Sequence, residues 1–536
     1  MIPESNRETR QRRERGGLFS RLSQFLPNRM CALGLALALP GASLASTPRN
    51  ILLIIADDFG ADNLSLYNTN TAASLPPTPN IDDLAGRGVL FRNAWANPVC
   101  SPTRACLLTG RHGFRTGVGD VVAGAGNSLR AAEFTLPEAF ATQPALGYQV
   151  AQFGKWHLSN GPGSPNSVGA WPHFAGSLGG ALASYTNWTQ TVNGVSTTRT
   201  NYATTDLVND AIAWIQARGS APWFAWVAFN APHSPLHKPP AALAPHYTGL
   251  SGTQPNINAN PRAYYEALVE SMDTELGRLL AAVDRTNTHI IFLGDNGTPA
   301  NVLQPPYPAG RGKDTLYQGG LRVPLIAAGP AVVSPGRTSD ALVHAVDVFA
   351  TICDLAGLPG GTVPTNVMVD SRSFLAVLAG QAYAPIRLYA ESFNSTNPTD
   401  GGRALRDDRY KLIRFNDGHD EFYDLQADPY ETGNLLAGSL TAGERRRRDR
   451  LEFWRAGYST NTGPRLLAPL AGGGNFSVTL THTAGASYKL WRCDDLAAAF
   501  WSPVTAQLRT NATTLVLTDP APLASRAFYS VIQHGP

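Results

Sequence analysis

Six consecutive apolar residues, ILLIIA at Ile51 to Ala56, form a strand with no polar face to turn toward water. A strand of this kind has to be covered on both sides, as in a parallel sheet wrapped by helices. Similar short runs recur as YQVAQFG, PWFAWVAF, HIIFLGD and VPLIAAG. Between them lie segments of helical period, LVNDAIAWIQAR and AYYEALVESMDTELGRLLAAVDR, and NIDDLAGRG from Asn80 reads as a short helix leading into VLFRNAW. The alternation predicts an α/β fold with a large, mostly parallel sheet sandwiched by helices. In such sheets, binding sites gather beyond the carboxyl ends of the strands. A chain of 536 residues that is 43% hydrophobic can bury that core and an accessory unit besides.

After about Pro385 the texture changes. IRLYAES, YKLIRF and EFYDL alternate like a smaller antiparallel sheet, with a helix following around Arg445 to Trp454. The Gly/Pro-rich stretch GPRLLAPLAGGGN then reads as a join to FSVTLTHT, ASYKLWR and TTLVLTD, a small all-β module. The expected organisation is a catalytic domain over 50–384, a C-terminal subdomain over 385–462 and the β module over 471–536. Trp491, Trp501 and Tyr488 have the shape to stack on sugars, but aromatics in a small β unit are expected to form its core.

At the amino end, RETRQRRERGG precedes the apolar run CALGLALALPGASLA. This has the layout of a signal peptide over 1–45, with cleavage near Ala45, and Met30 is an alternative start. The run is too short and too broken by Gly and Pro for a comfortable membrane span, so no permanent membrane anchor is expected. Export follows, to the periplasm or outside the cell. Of five cysteines, Cys31 would leave with the signal, and Cys100, Cys106, Cys353 and Cys493 remain. A formal charge of +3, with basic residues scattered beyond the first thirty positions, gives no surface for nucleic acid.

The most informative segment is NPVCSPTRACLLTGRHGFRTGV, Asn97 to Val118. It resembles the signature of the formylglycine-dependent sulfatases, C-x-P-x-R followed by TGR, with Cys100, Pro102 and Arg104 matching position for position. The resemblance implies an alkaline-phosphatase-like fold and hydrolysis of aryl or carbohydrate sulfate monoesters. It also implies a Cys100 oxidised to formylglycine by a formylglycine-generating enzyme. The chemistry has a reason: a thiol attacking sulfur leaves a stable adduct, whereas a hydrated aldehyde expels sulfate by re-forming its carbonyl. Cys106, further along, is expected only to pack.

Such a diol needs a cation. ADDFG places Asp57 and Asp58 after the first buried strand, and LGDNG places Asp295 and Asn296 after another. Asp and Asn are ordinary loop residues in such places, but together the four resemble the family's metal quartet, with residue 100 completing the shell. Hard oxygen donors suit Ca²⁺, or Mg²⁺ as the alternative, and calcium's looser shell accommodates a diol and a sulfate oxygen. Three carboxylates on one divalent ion would repel a sulfate ester, so cations must lie nearby. Arg104, Lys155 of GKWHL and Lys313 of GRGKDTLYQGG match family cations around the sulfate. His157 of GKWHL and His233 of FNAPHSPLHKP match its histidines; His237 and Lys238 align less clearly and are candidates to face the alcohol.

GGLRVPLI, DVFATICDLAG and YDLQADPYETGNL follow in family order, so the likeness spans about Asn50 to Leu436. Two positions depart from it: Gln318 stands where Glu is common, and Gly294 where Ser or Thr precedes Asp295. The implied roles are Lys155 and Lys313 on the sulfate oxygens, His233 on the leaving alcohol, His157 on the second diol hydroxyl and Arg104 orienting residue 100. Rival readings are a phosphate or phosphonate monoester hydrolase of the same superfamily and a silent sulfated-glycan-binding protein. The latter predicts missing site residues, and none is missing. A sulfated glycan is a plausible partner for an exported enzyme, but the Ser159 to Thr191 loop carries no readable specificity code.

Overall fold

Alternate residues of Asn50–Ala56 (β1) enter two different cores, which is why this strand carries no polar side. Ile51, Leu53 and Ile55 pack with one set of helices, including Ala105, Leu107 and Leu108 of the helix Cys100–Thr109. Leu52, Ile54 and Ala56 pack on the other side with the helices Ala203–Gln216 and Pro261–Ala281. Truncating one of these, as in Ile54→Ala, should cost about 2–5 kcal/mol. The computed structural model describes residues 49–536 apart from 124–126, 360–361, 384–386, 394–400, 457, 459–465, 473–474, 482–486, 494–501, 505, 511–513, 521–527 and 535–536. The expected signal segment lies outside the described residues.

The central sheet has ten strands. Besides β1 they are Gly88–Trp95 (β2), Gln149–Gly154 (β3), Phe174–Gly176 (β4), Trp188–Val192 (β5), Val195–Arg199 (β6), Trp223–Ala228 (β7), Thr288–Gly294 (β8), Leu325–Ala328 (β9) and Arg337–His344 (β10). Their spatial order is β10-β2-β9-β8-β1-β7-β3-β4-β5-β6. β1 pairs in parallel with both β7 and β8, and β3 pairs in parallel with β7. The carboxyl ends of β1, β3, β7 and β8 therefore open on one edge, as the alternation of strands and helices requires.

The sheet departs from pure parallel order in two places. β9 runs antiparallel to both neighbours, β2 and β8. β5 and β6 form an antiparallel hairpin at the far edge, with Asn193 and Gly194 both at positive φ in its turn. That Asn-Gly pair is a strong hairpin signal.

The helix Cys100–Thr109 starts where Pro102 can sit in the first turn without losing a hydrogen bond. It stops at Gly110, whose φ of 69° and contact with the Phe349 ring leave no room for a side chain. A four-stranded antiparallel sheet follows, from Leu388–Ser392 (β11), Gly402–Arg406 (β12), Tyr410–Phe415 (β13) and Asp420–Asp424 (β14), and then a helix at Ala442–Ala456. Two further small antiparallel sheets lie between Leu466 and His534. The stretch read as a join is partly strand: Leu466–Gly472 pairs with Asn475–Thr481, and that backbone pairing overrides the Gly/Pro composition. Trp491 is a core residue, 1% exposed, with its ring against Phe453. Among the described residues no helix is long and apolar enough to cross a membrane.

Candidate active site

Four strand ends and one helix start converge on a single buried cluster. β1 delivers Asp57 and Asp58, β8 delivers Asp295 and Asn296, β3 delivers Lys155 and His157, and β7 leads into the turn holding His233. Cys100 opens the helix that follows β2 and is 1% exposed, with its Sγ 3.1 Å from His157 Nδ1.

Oppositely charged groups fill the cluster. Lys155 Nζ lies 2.5 Å from Asp57 Oδ2, and Lys313 Nζ lies 2.5 Å from Asp58 Oδ1. Arg104 donates to Asp295 Oδ2 from Nη2 at 2.7 Å and from Nε at 3.1 Å, while its Nη1 donates to the Lys155 carbonyl at 2.9 Å. Asn296 Nδ2 donates to Asp58 Oδ1 at 2.8 Å, and the Asp58 amide donates to Asp295 Oδ1 at 3.1 Å. His233 Nε2 is 3.6 Å from Asp58 Oδ2. Every residue given a metal-ligand or catalytic role at the sequence level thus belongs to this cluster. His237 and Lys238 do not: the His237 ring is bonded to Tyr202 and the Pro235 carbonyl, and Lys238 donates to the Thr248 carbonyl.

The electrostatics follow from burial and these pairings. Burial pushes the Asp57 carboxyl up, but Lys155, His233, Arg104 and Lys313 together hold it well below the usual range. Asp295 is pushed up by burial and by the charge of Asp57, against the pull of Arg104. Burial also raises the Cys100 thiol in spite of Lys155 and Lys313, so the sulfur is a neutral, poor nucleophile. His157 is pulled down by burial and by the positive charge of Lys155 and Arg104, which keeps its ring neutral.

The donor set fits a hard cation. Asp57 Oδ1 and Asn296 Oδ1 are buried and have no hydrogen-bond partner, a costly state unless a ligand satisfies them. The groups Asp57, Asp58, His233 and Asp57, Cys100, Asp295 each bring three ligand atoms within 4.8 Å, with Asp57 common to both. Oxygen dominates these donors, as calcium and magnesium prefer.

Comparison with known proteins agrees with this arrangement. Residues 49–358 match the sulfatase family, and residues 312–446 match the N-sulphoglucosamine sulphohydrolase C-terminal region. The chain belongs to the sulfatase family. N-acetylgalactosamine-6-sulfatase of Homo sapiens is 31% identical over 379 residues, covering 63% of this chain and 67% of that protein. Arylsulfatase A of Homo sapiens is 29% identical over 457 residues, covering 75% and 86%. The crystal structure of Ps i-CgsB superposes with a TM-score of 0.64 at 26% identity, over 76% of this chain and 93% of that one. This sulfatase has their alkaline-phosphatase-like fold and is a hydrolase of sulfate monoesters.

Several supporting residues of the sulfatase escaped the sequence reading. Thr298 Oγ1 donates to Asp62 Oδ1 at 2.6 Å and accepts from the Gly60 amide and Asn63 Nδ2, tying the loop after β1 to the loop after β8. Burial raises the Asp62 carboxyl to about 6, although Thr298 and the Gln304 amide hydrogen-bond to it. Tyr265 donates to the Asp58 carbonyl at 2.7 Å. Gly180 lies against the His157 ring, where a Cβ would come within 2.5 Å of Cε1. One of the two family departures has a local cause: a Cβ at Gly294 would lie 2.1 Å from the Phe59 carbonyl oxygen. At the other, Gln318 Oε1 accepts the Trp95 indole N–H at 2.7 Å, a role that Glu would also fill.

Proposed function

We propose that this sulfatase is an exported, calcium-dependent enzyme whose nucleophile is formylglycine made from Cys100, acting on sulfated carbohydrates. The observation that carries this reading is Cys100 held 3.1 Å from the neutral His157 ring inside a cluster of three carboxylates and three cations. Asp57, Asp58, Asp295, Asn296 and residue 100 would hold Ca²⁺, with Mg²⁺ the alternative, and the ion would acidify the diol and neutralise the sulfate. Once oxidised by a formylglycine-generating enzyme, residue 100 supplies a hydrated aldehyde able to attack sulfur and then release sulfate as its carbonyl re-forms.

The chain's own residues do the rest. Lys155 and Lys313 hold the sulfate oxygens, turning from the carboxylates they now pair with. Arg104, locked on Asp295 and the Lys155 carbonyl, fixes the turn that presents residue 100. His233, exposed enough to meet the alcohol at 15%, gives it a proton as it leaves. His157 takes the proton of the second diol hydroxyl through Nδ1.

A carbohydrate substrate is supported by the name of the 31% identical relative, N-acetylgalactosamine-6-sulfatase, and by Ps i-CgsB having been solved with k-i-k-neocarrahexaose. The test is a desulfation screen of matured protein on sulfated glycans, with aryl sulfate and aryl phosphate as controls. Release of sulfate from a glycan with little action on aryl phosphate is expected. A preference for phosphate would overturn the reading.

A further inference from the structure

We infer that Glu431, in the turn after the C-terminal antiparallel sheet and paired in the interior with Lys411 of that sheet, positions the loop carrying Lys313 for substrate. This rests on the role proposed above for Lys313. Lys411, on β13, is fully buried, with its Nζ 2.5 Å from Glu431 Oε1 and 5.0 Å from the centre of the Trp95 ring. Glu431 is 1% exposed and sits at a φ of 60°, an unfavourable backbone state for a side chain that size.

Apart from the Glu431 amide, which donates to the Asp428 carbonyl, its remaining hydrogen bonds go to one segment. Oε2 accepts the Gln318 amide at 2.5 Å, and the Glu431 carbonyl accepts a hydrogen bond from Arg311. Gln318 closes the circuit through the Trp95 indole at the end of β2. The segment 311–318 is thus held at both ends by one residue of the C-terminal part. Between those ends, the Lys313 amide donates to the Thr298 carbonyl at 2.8 Å, and the Asp314 amide donates to the Pro98 carbonyl at 3.0 Å, two residues before Cys100. The Gly297 amide donates to the Gly320 carbonyl at 2.9 Å, next to Asn296.

A buried ion pair is poor evidence for stability, because desolvation cancels much of its attraction. Its geometric effect is easier to account for: it fixes Glu431 where two points of a loop need an acceptor, the Gln318 amide on its carboxylate and Arg311 on its backbone carbonyl. Loosening that loop by a fraction of an ångström would weaken the grip of Lys313 on sulfate, while the cation ligands stay anchored on β1, β8 and the Cys100 helix.

The test compares two double variants of the matured enzyme that remove the same charges. Lys411→Met with Glu431→Gln keeps an acceptor for the Gln318 amide, and Lys411→Met with Glu431→Leu does not. The first should keep KM within about twofold of wild type, and the second should raise KM about tenfold, with kcat changed less and calcium affinity by calorimetry unchanged. Arg311→Met, which cuts the other tie without disturbing buried charge, should raise KM in the same direction and decides the matter if the Leu variant does not fold. Wild-type KM in the folded Leu variant, or in Arg311→Met, would overturn the positioning role. Lys313→Ala measured alongside separates the two levels: if it too keeps the wild-type KM, the assignment of Lys313 to sulfate fails first.

Discussion

His157 Nδ1 faces Cys100 Sγ at 3.1 Å, and the same imidazole is kept neutral by burial and by the flanking cations Lys155 and Arg104. A neutral ring at that distance can take a proton from a group built on residue 100, whereas the thiol itself is held protonated. Cys100→Ala should therefore abolish turnover, and mass spectrometry of the active enzyme should find the aldehyde in place of the thiol. Cys106, whose sulfur accepts from Asn97 Nδ2 at 3.3 Å inside the helix core, should tolerate Ser with turnover retained. Unmodified cysteine in fully active protein would refute the nucleophile.

His157 and His233 serve different steps and should fail differently. His233→Ala should lose roughly 10²-fold or more on a sugar sulfate and far less on an activated aryl sulfate, since protonation matters most for a poor leaving group. His157→Ala should release a burst of alcohol and then stall, with sulfate retained on residue 100 whatever the alcohol. Equal dependence on leaving group in both variants would rule out this division of labour.

Asp58→Ala should remove activity that added calcium does not restore, whereas chelated wild-type enzyme should recover on adding calcium. Asp58 holds Lys313 and accepts from Asn296, so its loss affects both the cation and the lysine. Normal turnover by protein shown to be free of metal would leave the oxygen cluster with a structural role only.

Two buried histidines remote from the chemistry should each lower stability on the acid side. Burial pulls His112 down to about 3 and His289 to about 4. Below about 6.5 the unfolded chain binds protons at these rings that the folded chain refuses, so each histidine removes up to about 1.4 kcal/mol of stability per pH unit until its folded value is reached. Carboxyls raised by burial, Asp62 to about 6 and Asp347 to about 7, work the other way over the same range, because there the folded chain holds protons that the unfolded chain has lost. The histidine contribution is therefore read by difference: the melting temperature of wild type minus that of His112→Gln should fall from pH 6.5 to 4, and a constant difference would show that His112 takes no part in it.

How much of this could be read in advance depended on how local each cause is. The buried strands and the residues at their ends were legible, because continuous apolar runs and short polar motifs are properties of adjacent residues. The antiparallel insertion of β9 was not, since LIAA reads the same in either direction. The β5–β6 hairpin went unread although its Asn193-Gly194 turn is a local signal, because it begins inside the Ser159 to Thr191 stretch, which reads as loop. Thr298, Asp62 and Glu431 are ordinary residues until distant segments meet, and Gly180 matters only because His157 lies against it.

The burial of Cys100 has a consequence for timing. All ten residues of its helix are buried, so the sulfur of the folded chain is closed to an oxidising enzyme. If residue 100 is converted as proposed, the conversion has to come on the newly made polypeptide, in the interval before the strands around β1 close over it. A cell that folds this chain faster than it modifies it would accumulate well-formed, metal-competent and permanently inert molecules, and the proportion of active enzyme would record the outcome of that race.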